Sequence, residues 1–86
     1  MTSLSEARQK ALEARKKMLD ARPKDAISPL PDKIVPDHTN CVHYFETAAH
    51  HYLMAANAYS AGDVFTGHMY EVRAYEYIRL GQACEE

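Results

Sequence analysis

The chain has 86 residues with 10 Lys/Arg against 12 Asp/Glu, a net charge of −2, which makes a single domain (1–86) near the lower size at which one core holds itself together. Leu, Ile, Val and Phe supply only 15 of those residues, so the core has to lean on alanine and tyrosine; at roughly 25 cal/mol per Å² buried, small side chains stabilise little. No run of about 18 apolar residues could span a bilayer and the N-terminus lacks the apolar core of a secretion signal, which points to the cytoplasm and away from a membrane.

Residues Glu6 to Ala26 repeat with a period of seven, EARQKAL, EARKKML, DARPKDA, and the third copy breaks at Pro23. Leu4, Ala7, Ala11, Ala14, Met18 and Ala21 alternate spacings of three and four, as in a helix seam. Each repeat sets an acid four residues before a lysine, and Ser3 followed by Glu6, or Ser5, offers the N-cap. The pattern predicts a charged helix over 4–22. Arg8, Arg15 and Arg22 fall on one line between the Ala/Met seam and the Leu12/Leu19 pair, so their guanidinium groups flank an apolar surface and favour docking onto something acidic.

Charge is divided unevenly: residues 1–24 hold seven Lys/Arg and three Asp/Glu, residues 25–86 three and nine. The basic helix could neutralise nucleic acid phosphates or pack on an acidic protein surface, its own or another's. Acids interleaved in every repeat would repel phosphate and favour the protein surface.

All four prolines lie between 23 and 36, predicting a stiff, extended connector over 23–39. Ile27, Leu30, Ile34 and Val35 are costly to leave in water, so this strap is expected along the rest of the chain or in a partner's groove. Asp37, Thr39 or Asn40 then caps the next helix.

Residues 40–86 read as two helices folded back about Gly62-Asp63, glycine ending the first and Asp63 capping the second near Phe65 or Thr66. On the first, Cys41, Phe45, Ala48, Ala49, Tyr52, Ala55, Ala56 and Tyr59 share one side. On the second, Gly67, Ala74 and Gly81 recur every seven residues beside Tyr70, Tyr77 and Cys84, so the two backbones can approach closely. A hairpin in this register sets Cys41 near Cys84 at its open end, either bonded or as two reduced, small apolar side chains. A second flank, Phe65, Met69, Val72, Leu80 and Ala83, is also apolar and leaves only a strip of His68, Glu71, Tyr75, Arg79 and Gln82 polar. One partner helix cannot cover both flanks, so the first helix, a second copy or a foreign protein has to pack there. The segment Ala58-Tyr59-Ser60-Ala61-Gly62-Asp63, with Ala74 downstream, resembles one helical hairpin of the tetratricopeptide type, with Gly67 where that family has alanine. The resemblance implies a tight antiparallel hairpin; a single unit lacks the concave groove of the repeat arrays.

His43, Glu46 and His50 share the polar back of the first hairpin helix, and His68 with Glu71 repeats the His-x-x-Glu spacing on the second. Histidine and carboxylate on adjacent turns can hold zinc or iron. The hairpin register separates the two groups by about 21 Å along the helix, so they could meet only between chains, and a solvated polar face is the plainer reading. A glycine-rich phosphate loop, a nucleophile elbow and an H-E-x-x-H motif are all missing. The expectation is an all-α, non-enzymatic protein without cofactor, completed as a helical bundle by oligomerisation and acting by stoichiometric protein binding. Its contact surface would comprise Arg8, Leu12, Arg15, Leu19 and Arg22 with the uncovered part of Phe65, Met69, Val72 and Leu80. An acidic body of this size without a catalytic constellation suits an inhibitor or accessory factor of the kind a phage or other mobile element encodes.

Overall fold

The computed structural model describes residues 3–24 and 41–85, which form three helices and, among the described residues, no strand: α1 (Leu4–Ala21), α2 (Cys41–Ser60) and α3 (Val64–Glu85). The expected extended strap and the Asp37, Thr39 or Asn40 cap lie outside the described residues, Pro23 and Lys24 excepted.

Helix α1 starts where the capping pattern put it. The Ser3 side chain accepts a hydrogen bond from the Glu6 backbone N–H at 3.1 Å, satisfying one of the donors a helix start leaves open. It stops at Arg22, whose N–H still donates to the Met18 carbonyl at 2.9 Å but whose ψ of 136° is the extended conformation that a following proline imposes. The seam Ala7, Ala11, Ala14 and Met18 is buried, and the side it presses on belongs to α2 of the same chain.

Helix α2 is the middle of the molecule. Helices α1 and α3 both pack along it and scarcely meet each other, within an envelope of 35 × 24 × 15 Å. Tyr44, Phe45, Ala48, Ala49, Tyr52, Ala55 and Tyr59 are its buried residues. Only Tyr44 was absent from the side read from the sequence. Helix α1 runs parallel to α2, because residues seven apart on one meet residues seven apart on the other in the same order: Arg8 with Phe45, Arg15 with Tyr52, Arg22 with Tyr59.

The reversal between α2 and α3 is a Schellman turn. Gly62 takes φ +84°, its N–H donates to the Tyr59 carbonyl, and the Asp63 N–H reaches back to the Ala58 carbonyl. Asp63 then serves the other direction, its carboxylate accepting from the Thr66 N–H at 3.1 Å and the Thr66 hydroxyl at 2.7 Å. Past the turn the heptad of small residues lets the backbones close in. A Cβ on Gly67 would stand 2.5 Å from the Tyr59 ring, one on Gly81 3.0 Å from the Phe45 ring, and Ala74 has no exposed surface. At the open end Cys41 and Cys84 form a disulfide with Cα atoms 5.6 Å apart. Closing a loop whose ends are 43 positions apart removes roughly 4 kcal/mol of unfolded-state freedom in the chain-entropy model.

Candidate functional site

The three helices converge at the turn end of the molecule on a polar junction of Arg22, Tyr59, His68 and Glu71. Register explains the meeting: Tyr59 is the last buried residue of α2, Gly67 makes room for its ring, and His68 and Glu71 flank that gap one residue and one turn further on. The Tyr59 hydroxyl donates to Glu71 Oε1 at 2.6 Å. Its oxygen lies 3.2 Å from His68 Nδ1, and a phenol with one proton already committed has to accept there, so His68 carries its proton on Nδ1. Arg22 Nε stands 3.2 Å from the same Glu71 oxygen, with both side chains largely buried, at 15% and 13% exposure. Burial, the bond to Glu71 and the carboxylate charge push the Tyr59 phenol well above its ordinary value, and Arg22 offsets only part of that. A phenol held neutral and a carboxylate held by a guanidinium make a poor acid–base pair and a good clamp.

A second polar contact, between Arg15 of α1 and Tyr52 of α2, lies one heptad back. Burial raises the Tyr52 phenol, while a hydrogen bond with Arg15 and its charge pull the other way; Glu71 and Tyr75 also act on it. Arg8 continues the row, its guanidinium 6.0 Å from the centre of the Phe45 ring. The arginine line read from the sequence therefore lies over the buried rings of Phe45, Tyr52 and Tyr59. Arg8 and Arg15 are exposed, whereas Arg22 is drawn in by Glu71.

The apolar candidates divide. Leu12 and Leu19 are 57% and 44% exposed on the same flank of α1 as the arginines. Phe65 and Met69, at 76% and 46%, stand on α3 away from α2. Val72, expected as a contact residue, is buried, and Leu80 is half-buried, so the presented part of that flank is its first two turns. Tyr75, assigned from the sequence to the polar strip, is 46% exposed one turn beyond Glu71 on the same flank.

His43, Glu46 and His50 lie exposed along α2, while His68 and Glu71 are engaged with Tyr59; among the described residues no three His, Cys, Asp or Glu side chains come together as a metal would need. His51 lies at the α2–α3 edge, its Nδ1–H donating to the Thr47 carbonyl at 2.8 Å and its ring beside Tyr70 and Tyr77. Neither cysteine is free to act as a nucleophile. No described helix is long and apolar enough to cross a membrane.

The junction of Tyr59 with His68 and Glu71 was missed at the level of sequence, although the register that paired Cys41 with Cys84 also carries Tyr59 to within a turn of His68 and less than two turns of Glu71. Comparisons of the chain with protein-family models, with curated proteins and with solved structures find no match.

Proposed function

We propose that this protein is a non-enzymatic, helical binding protein that acts stoichiometrically on a protein partner. The observation that carries the reading is where the large apolar side chains sit. In a chain whose buried surface is mostly alanine and tyrosine, Leu12, Leu19, Phe65 and Met69 are held on rigid helices and face water. Apolar side chains presented at helical spacing on one face of a helix are the anchors of helix-in-groove recognition. Self-association into a larger bundle is one form this binding can take. An inhibitor or accessory factor from a phage or another mobile element is the biological role it suits.

Two variants test the reading. Leu12→Asp and Met69→Asp are each expected to abolish a concentration-dependent oligomer in light scattering or a complex in pull-down, with helical content unchanged. Wild-type behaviour of both variants would refute it. Nucleic acid is the weaker alternative, because Arg22 is committed to Glu71 and the acids Glu6, Glu13 and Asp20 share α1 with its lysines; salt-sensitive duplex binding lost on replacing Arg8, Arg15 and Lys17 would revive it.

Disulfides persist where thiols are oxidised and are rare in a reducing cytoplasm, so the Cys41–Cys84 bond weighs against the cytoplasmic location expected from the sequence.

A further inference from the structure

We propose that the Cys41–Cys84 bond is a site of thiol–disulfide exchange with a small, water-borne thiol, at which the incoming thiolate bonds to Cys84 and Cys41 leaves. This goes beyond the protein-binding reading and does not depend on it.

The bond is reachable from one end. Cys84 is exposed and Cys41 half-buried, so the two sulfurs are unequal targets. Exposed disulfides are the labile ones, because exchange needs a thiolate to reach a sulfur. The packing around the bond is equally one-sided. Gly81 is buried against the Phe45 ring, whereas Gln82, Ala83 and Cys84 beyond it all face water. The last turn of α3 is thus tied to α2 by the cross-link more than by packing.

The helix ends decide which sulfur departs. Cys41 is the first residue of the 20-residue α2, whose first turn carries no acid. A thiolate there stands beside the N–H groups that a helix start leaves without intrahelical partners, at the positive end of the macrodipole. Cys84 lies in the last turn of α3, which holds no basic residue, and Glu85 and Glu86 follow it in the sequence. Negative charge is favoured on Cys41 and opposed on Cys84, which makes Cys41 the better leaving group.

The steps balance with thiols alone. A thiolate RS⁻ attacks Cys84 Sγ, the new S–S bond forms as the Cys41–Cys84 bond breaks, and the electron pair of the broken bond leaves on Cys41 Sγ. A second RS⁻ attacks the RS sulfur of the mixed disulfide and expels the Cys84 thiolate as RSSR forms. Two external thiols are oxidised to one disulfide, and the protein bond is reduced by the same two electrons. Attack of the Cys41 thiolate on Cys84 Sγ of the mixed disulfide reverses the first step. Each forward pass frees the last turn of α3 from α2.

The test incubates the full oxidised chain with reduced glutathione, stops the reaction at early times with N-ethylmaleimide, and locates both adducts by peptide mass spectrometry. In the folded chain glutathione should occupy Cys84 at least about tenfold more often than Cys41, with maleimide on Cys41, and in urea that preference should largely disappear. The folded chain should exchange within about tenfold of its rate in urea. Glutathione divided evenly or found mainly on Cys41 in the folded chain, or protection beyond about tenfold on folding, would each overturn the proposal. Cys84→Ser and Cys41→Ser each keep one thiol, and alkylation should persist to lower pH for the Cys41 thiol than for the Cys84 thiol. Coincident pH profiles in two variants that circular dichroism shows to be helical would count equally against it.

Discussion

Gly67 and Gly81 occupy equivalent heptad positions on α3, yet they differ in what a methyl group would meet. At Gly67 the methyl would fall 2.5 Å from two carbons of the Tyr59 ring, and that ring is pinned through its hydroxyl to Glu71 and His68. At Gly81 the nearest atoms are those of the Phe45 ring at 3.0 to 3.2 Å, a contact that a few tenths of an ångström relieves. Alanine in mid-helix gains about 1 kcal/mol over glycine in propensity, and overpacking costs about 1–3 kcal/mol. Gly67→Ala should therefore lower stability in urea denaturation by about 1–2 kcal/mol, while Gly81→Ala stays within about 0.5 kcal/mol of wild type. Equal effects at the two positions would show that Tyr59 is not fixed by its polar partners. The same pair of residues marks how far the sequence could be read. Heptad spacing of small residues announced close approach, but which glycine faces an anchored ring depends on a hydroxyl contact that no spacing encodes.

At the scale of elements, the boundaries were the most legible feature, because each depends on local chemistry. Ser3, Pro23, Gly62 and Asp63 act within a turn of where they stand, and the helix ends fall at them. Asp63 also yields a pH prediction. Hydrogen bonds from the Thr66 hydroxyl and N–H hold its carboxyl below the ordinary 3.8. A depressed folded-state value means the cap contributes fully above the unfolded value and is lost as pH falls through the folded one. Asn at this position caps without titrating. The stability advantage of wild type over Asp63→Asn should be present at neutral pH and shrink as the pH is taken below the ordinary carboxyl value of 3.8; a difference that does not change with pH would remove the carboxylate from the cap. The relation of α1 to the hairpin was not legible in the same way. Its direction is decided by which stripe meets which, and the heptads of α1 fit α2 in either sense until Arg22 finds Glu71 and Arg8 finds Phe45.

Across the whole molecule, a core of alanines with few large side chains leaves little margin. Met18 and Tyr52 are the largest side chains buried completely. Truncating a buried methionine to alanine costs about 2–5 kcal/mol, and the Cys41–Cys84 link contributes roughly 4 kcal/mol, against a total of about 5–15 kcal/mol for ordinary domains. The two sites are independent. Met18 packs toward the turn end of α2 and the disulfide closes the other end, well beyond the 7–10 Å within which effects usually couple. Their losses should therefore add. Oxidised Met18→Ala should remain folded and melt early, reduced wild type should lose a similar amount, and reduced Met18→Ala should be unfolded at room temperature by circular dichroism. If reduction moves the urea midpoint of neither protein, the cross-link spans ends already fixed by packing, and the three-helix layer is more stable than its alanine core can explain.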